Sequence, residues 1–250
     1  MQLEGIHHVT AITGNAPQNV DFYVRVLGLR LVKRTVNQDD PTVYHLFYAD
    51  EQGSAGSDIT FFEYPGARRG RAGAGMVHTV AFRVASEEAL DFWEQRLADE
   101  GAKASRSLLE HTLGFTPIGE AAWDVRGEGR GGLFGYDAPP ADRGVGGAGT
   151  VHHVAFATQT HEQDAWQQEV ALAGFHPTPV IDRFWFRSIY FREPSGVLFE
   201  LATLGPGFSV DEDPAHLGEK LILPPAFEHL RERIEPVLTP IENPRTAWVR

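Results

Sequence analysis

Cysteine is absent from the chain's 250 residues, so neither a disulfide framework nor a thiolate metal site is available, and any metal must be held by His, Asp or Glu. A cationic surplus is missing too. Lys and Arg number 22 against 34 Asp and Glu, a formal charge of −12 with no basic tract, which argues against nucleic acid or an anionic membrane surface as a partner. No apolar run approaches the roughly 18 residues of a spanning helix, and the opening "MQLEGIHHVTAIT" has neither a basic n-region nor an apolar h-region. A cytoplasmic protein is therefore expected. What is present, 42% apolar and 22% charged residues, is the composition of an ordered globular chain long enough to bury a core.

Internal repetition organises that chain. "EGIHHVTAIT", "AGMVHTVAFRV" and "AGTVHHVAFAT" are three versions of one strand, in which a single column holds His8, Thr79 and His153 at offsets of 71 and 74 residues. The outer two copies continue alike: an alternating apolar strand, a polar turn, an amphipathic helix, a Gly, then further strands. "APQNVDFYVRVLGLRLVKR" puts Val20, Tyr23, Val24 and Leu27 on one helical face before Gly28, and "EQDAWQQEVALAGFHPTPV" repeats the pattern with Trp166, Val170 and Gly174. Strands follow at "TVYHLFYAD" and "DITFFEY" in the first unit, and at "RFWFRSIYFRE" and "GVLFELATL" in the last. Each outer unit reads β-α-β-β-β.

The middle unit is irregular. Its leading strand "VHTVAFRV" precedes two helix signals, "SEEALDFWEQRLADEGA" and "SRSLLEHTLGFTPIGE", and then two short strands, "AAWDVRG" and "GGLFGYD". The front of one module fused to the back of another accounts for this order. The expected divisions are 1–73, a first module; 74–147, a fused or truncated middle; 148–208, a last module; and 209–250, a tail with one closing helix. Val80, Phe82, Leu133 and Phe134 of the middle unit form an apolar surface without an intact partner module, partly covered by Leu108, Leu109 and Leu113. A homodimer that buries the rest across a two-fold axis is the expectation.

Repeated β-α-β-β-β units with a His on the first strand and a Glu on the last resemble the vicinal oxygen chelate superfamily. "GIHHVTAITGNAPQNVDFYVRVLGLRLVKRTVNQDDPTVYHLFYAD" together with "GTVHHVAFAT", "EPSGVLFELAT" and "DEDPAHLGEKLILPP" is similar to the hydroquinone-type ring-cleaving dioxygenases. The resemblance covers roughly residues 4–84 and 145–225. It implies an α+β fold of βαβββ half-barrels, with the first and last modules paired around a metal. Four modules are usual in that subgroup, so the departure falls in the middle of this chain.

The residues allow the same chemistry. On alternating strands, His8 and His153 of paired modules can aim at a common centre, joined by Glu200 of "VLFEL". Two imidazoles and one carboxylate leave open positions opposite, as in non-heme Fe(II) oxygenases. Fe(II) is the expected metal, and Mn(II) suits the same ligands. Any one such His taken alone is more often a structural residue; the shared column outweighs that reading. Glu63 of "ITFFEYPG" is read as a structural carboxylate, and His45, His78, His176, His216 and His229 as structural or exposed. Strict alternation turns His7 and His152 away from the centre, whereas the resemblance implies that they lie beside the substrate. The resemblance also implies that Tyr190 and Arg183 flank the metal as a proton or hydrogen-bond donor and an anion-stabilising cation, set against an ordinary strand tyrosine and a surface ion pair. Phe184, Trp185, Phe186 and Phe191 are expected as apolar walls. The expected substrates are a small dihydroxybenzene and O2. Two alternatives stand: a glyoxalase-type metal-dependent lyase or isomerase, which needs a Glu in register on the first module, and a metal-free binding protein of the resistance type, which has no use for two aligned His and a Glu.

Overall fold

Asn15 closes the first strand and opens the first helix. The structure, a computed structural model, describes residues 1, 3–84, 86–99, 122–124, 133–135 and 141–247. After strand β1 (Ile6–Thr13), Asn15 Oδ1 accepts from the Gln18 amide at 3.0 Å and caps α1 (Ala16–Val20), which runs on into a π-helical turn, Asp21–Val26. Gly28, at φ 68°, ends it and turns the chain into β2 (Arg30–Asn37), β3 (Asp40–Ala49) and β4 (Asp58–Glu63). The middle contributes α2 (Glu87–Asp99) and a separate two-stranded ribbon, β5 (Ala122–Asp124) with β6 (Leu133–Gly135). The last unit supplies β7 (Val151–Thr158), α3 (Gln163–Leu172), β8 (Ile181–Asp182), β9 (Arg187–Arg192) and β10 (Leu198–Thr203).

The outer units alone build the main sheet. Its eight strands run β2-β3-β4-β1-β7-β10-β9-β8. Read outward from the centre, each half has the same sequence of strands within its unit: first, last, third, second. β1 pairs antiparallel with β7, β1 runs parallel to β4, and β7 runs parallel to β10. Two quartets therefore meet about an approximate two-fold axis at the β1–β7 seam, giving an α+β fold of two curled half-barrels.

Strand alternation divides the core between two faces. Tyr44, Leu46 and Tyr48 of β3 pack with α1 residues Ala16 and Val20, whereas Phe47 and Ala49 face the opposite, concave side with Trp185, Phe186, Phe208 and Leu217. The C-terminal residues are part of this packing. Leu221, Leu223, Ile234 and Leu238 are buried in the α1 cluster, the last two around the short helix α4 (Arg231–Ile234). Lys33, wholly buried, donates to Asp211 Oδ1 at 2.8 Å and to Glu212, while Trp185 Nε1 donates to Asp211 at 3.0 Å. Satisfied on both sides, that buried charge pins residues 208–212 across the first unit.

Two sequence expectations are corrected. Residues 77–84, "VHTVAFRV", form no strand; Val77 and Val80 instead pack as irregular chain against the apolar clusters of the outer units. A strand needs a neighbour, and among the described residues no strand pairs with this segment. Likewise "RFWF" does not continue the strand "RSIYFRE". It is a loop between β8 and β9, in which Phe184 takes φ 72° and its amide donates to Asp182 Oδ1 at 2.7 Å. Phe82 is 40% exposed; the Leu108–Leu113 segment lies outside the described residues.

Candidate metal centre

Register does the first part of the assembly. Across the seam His8 pairs with Ala155, and Ala155 pairs with Glu200 on β10, so the three lie in one row on one face of the sheet. His153, two residues before Ala155, shares that face. The methyl group of Ala155 between His8 and Glu200 leaves room for the longer side chains to meet over it. They do meet. His8 Nε2 lies 3.2 Å from His153 Nε2 and 3.4 Å from Glu200 Oε2, and His153 Nε2 lies 2.9 Å from Glu200 Oε2. Donor atoms about 2.1 Å from a shared ion stand about 3.0 Å apart at right angles and about 3.4 Å apart at the tetrahedral angle. The triangle has the dimensions of one face of a coordination shell.

The outer atoms of all three side chains are already engaged. His8 Nδ1 is bonded to His7 Nδ1 at 3.0 Å, His153 Nδ1 to His152 Nδ1 at 2.8 Å, and Glu200 Oε1 accepts from Ser188 Oγ at 2.5 Å. Glu200 Oε2, by contrast, is buried and has no hydrogen bond of acceptable geometry despite its closeness to His153. An orphaned carboxylate oxygen facing two imidazole nitrogens is a donor set that a divalent cation satisfies. Burial alone would raise the Glu200 carboxyl; the field of His8 and the closeness of His153 outweigh it and hold the group well below the usual range. Burial holds His153 below the ordinary imidazole value.

His7 and His152 reach their neighbours because the strands are not regular. On the β1–β7 ladder, register shifts between Ile6 and His8, where His7 is the extra residue, and between Thr10 and Ala11, where β7 steps from His153 to Val151 and His152 is the extra residue. Both bulges fall on the first histidine of the pair in their unit. A bulge re-aims its side chain, so the turning-away read from strict alternation fails at both sites.

A pocket of about 250 Å³ opens over the triangle, larger than the roughly 150 Å³ that suffices for benzene in an apolar cavity. Phe47, Phe62, Trp185 and Phe186 form its apolar wall, while Tyr190, Arg183 and His152 line it on the last-unit side. Phe184 packs beside the concave cluster, but Phe191 lies in another cluster with Phe175 and Phe199 and is not a pocket wall. Arg183 lines the pocket and pairs with Asp39, its own side chain mostly buried. Burial drives the Tyr190 phenol far above its ordinary value, so it stays protonated at neutral pH.

His45, read as structural or exposed, lines the pocket, its ring 4.0 Å from Phe47 and 4.4 Å from Phe62, with Nε2 bonded to Thr60 Oγ1 at 3.0 Å. Ser188 was missed as well. Both sit on the strand that neighbours β4 or β10, and the strand register pairs them, two residues off the offset of the histidine column: His45 lies opposite Phe62 as Ser188 lies opposite Ala202. Glu63 falls where it was read. Its Oε1 accepts from the Ala16 amide at 2.7 Å on the helical face, away from the triangle.

The family model described as Glyoxalase/Bleomycin resistance protein/Dioxygenase superfamily matches residues 5–118 and again 102–201. A Bacillus subtilis protein named "Putative ring-cleaving dioxygenase MhqA" is 35% identical, with the alignment covering 97% of this chain and 100% of that protein. The "Chlorohydroquinone/hydroquinone 1,2-dioxygenase" of Sphingobium indicum is 28% identical over 93% of this chain and 95% of its own length. A crystal structure titled as a putative dioxygenase from Bacillus subtilis superposes with a TM-score of 0.85 at 36% identity, covering 96% of this chain and 98% of that one. The two sequence alignments run over 318 and 310 positions, more than this chain's 250 residues, so those relatives carry internal residues that it lacks. The two family-model matches overlap at 102–118, inside the irregular middle unit.

Proposed function

We propose, from the premise that this chain belongs to the glyoxalase/bleomycin resistance protein/dioxygenase superfamily, that it is a metal-dependent ring-cleaving dioxygenase acting on a hydroquinone-like dihydroxybenzene and O2. The observation that carries the reading is the triangle of His8 Nε2, His153 Nε2 and Glu200 Oε2, with its outer atoms already bonded. His8, His153 and Glu200 would hold the metal. Fe(II), when bound, supplies the electron transfer between an aromatic diol and O2 that side chains cannot carry, and Mn(II) suits the same donors.

The chain's own residues supply the rest. With both Nε2 lone pairs directed at the metal, His8 and His153 carry their protons on Nδ1 and donate them to His7 and His152, which fixes both rings. Ser188 holds the Glu200 carboxylate by one oxygen and leaves the other for the ion. The Tyr190 phenol, kept protonated, can donate to a substrate oxygen, and Arg183 sets its guanidinium carbon 5.5 Å from the Tyr190 ring centroid, beside that phenol. The aromatic wall keeps water from the ring.

Neither alternative fits as well. A glyoxalase-type site wants a carboxylate on the first module in register with Glu200. Thr10 occupies the place of Ala155 and pairs with Thr60, so the matching position is a threonine, and Glu63 points to the other face. A metal-free binding protein gives no reason to bury two imidazoles and a carboxylate together. Anaerobic loading with Fe(II), followed by O2 uptake on hydroquinone and on catechol, tests the proposal. Uptake on hydroquinone is expected, and none with either diol would remove the reading.

A further inference from the structure

Arg183 is the one Lys or Arg among the described residues lining the pocket, and its charge is already matched. Nη1 and Nη2 donate to Asp39 Oδ1 and Oδ2 at 3.1 and 2.9 Å, a fork-on-fork pair. The partners come from different halves of the sheet: Asp39 from the turn between β2 and β3, Arg183 from the loop after β8. Gln38 Nε2, donating to the Arg183 carbonyl at 2.8 Å, ties the same two segments together. Arg183's side chain is 12% exposed and Asp39's 70%, so the guanidinium lies inside while the carboxylate faces the mouth. The other carboxylate of the pocket is Glu200, directed at the metal donors. Nearby Arg192 is turned outward and donates to the Gly196 carbonyl at 2.7 Å.

From this arrangement we infer that Asp39 determines specificity: by neutralising the pocket's cation it restricts the site to ring diols that carry no acidic substituent. A carboxylate on the ring would leave water to meet two fixed carboxylates and a guanidinium whose charge is matched, so its desolvation would go uncompensated. A diol with hydrogen, methyl or halogen substituents meets no such cost. Replacing Asp39 by Asn removes one negative charge and frees Arg183 to receive a carboxylate bidentately.

The inference rests on the ring-cleaving reading, and a binding measurement separates the two. Fe(II)-loaded protein is titrated anaerobically by calorimetry with hydroquinone and with 2,5-dihydroxybenzenesulfonate, whose acidic group is a poor metal ligand, and O2 uptake is then recorded with each. The wild type is expected to favour hydroquinone in both Kd and kcat/KM. Asp39→Asn should narrow that preference by about fivefold or more, a size set by the partial exposure of the pair, while Asp39→Glu retains it. Asp39→Ala serves as a second neutral variant. An unchanged preference in both neutral variants, or a wild type that binds the two diols equally, would overturn the inference. Absence of O2 uptake with any diol would defeat ring cleavage while leaving the Kd ratio as the test of Asp39.

Discussion

His8 and His153 hold equivalent places in the two quartets of the sheet, and so do their bulged neighbours His7 and His152; beyond those columns the halves part. Thr60 stands where the last module has Glu200, His45 where it has Ser188, and Phe47 where it has Tyr190. The bonding scheme is nonetheless the same. Ser188 bonds to Glu200 as His45 bonds to Thr60. A symmetric sheet thus offers two such positions about one centre, and a single residue type decides which half supplies the carboxylate. The mouth differs too. His152 is exposed beside the open pocket, whereas His7 is 5% exposed, packed against Phe186 at 5.4 Å between ring centroids.

The largest expected effect breaks the comparison at its decisive pair. Glu200→Gln should lower metal-dependent turnover by about a thousandfold or more, because a neutral amide replaces the anionic donor, with the circular-dichroism spectrum unchanged. Thr60→Val, the matching change in the other half, should stay within several-fold of wild type. Equal losses in both would mean that the site is not organised around Glu200.

A step smaller is the loss of the bonds behind the donors. Ser188→Ala and His152→Phe should each weaken metal affinity by about 10- to 100-fold, as removal of outer-shell partners usually does. His7→Phe should do likewise and also lower the melting temperature, because His7 is enclosed and His152 is not. Competition with a chelator of known affinity measures the first effect and calorimetry the second; metal affinity unchanged in all three would separate these bonds from the metal.

The repeat made the symmetric part of this legible. The strand, turn, helix, Gly pattern of residues 4–37 and 148–180 reported both modules, and the aligned histidine column reported the two Nε2 donors, because local patterning encodes them. The bulges were not legible. A bulge is a count of residues on one strand against its partner, and "IHHV" and "VHHV" contain no sign of it. His45 was lost because it was sought as a copy of another histidine, whereas its equivalent is Ser188. The role of Lys33 was equally hidden, since it depends on Asp211 and Glu212, some 178 residues away in sequence.

Acid should loosen the site from both halves at once. Burial holds His45 well below the imidazole value of 6.5, and His153 below it as well. Their unfolded forms therefore bind more protons than the folded ones, so stability is complete above about pH 6.5 and falls as pH drops. Glu200, whose folded carboxyl is depressed from 4.5, adds a loss of the same sign at still lower pH. Metal-free protein should melt several degrees lower at about pH 5.5 than at pH 8. His45→Gln should flatten that slope, and a slope unaltered by the substitution would exclude His45 as a contributor.

The smallest effect concerns a mismatch at the closed end. His8 pairs with Asp58 on β4; continuing the β7–β10 register by one residue brings Leu198 beside His153, so an acid in one half corresponds to an apolar side chain in the other. Asp58 is buried, and its side-chain partner among the described residues, Ser57 Oγ, is at the 3.5 Å limit of a hydrogen bond. Burial, with the Asp50 charge second, raises its carboxyl well above 3.8. With the folded value raised, this group's contribution is complete below about pH 3.8 and is lost as pH rises toward the folded value. Near neutrality Asp58 therefore costs stability. Asp58→Asn, which keeps the shape and removes the charge, should gain about 1 kcal/mol at pH 7, or about 2 to 4 °C in melting temperature for a chain of this length. The gain should disappear near pH 4, where the wild-type carboxyl is largely protonated in the folded state. A variant that melts at or below the wild type at pH 7 would mean that the ionised Asp58 is compensated, and that the two halves of the sheet differ here for a reason other than burial.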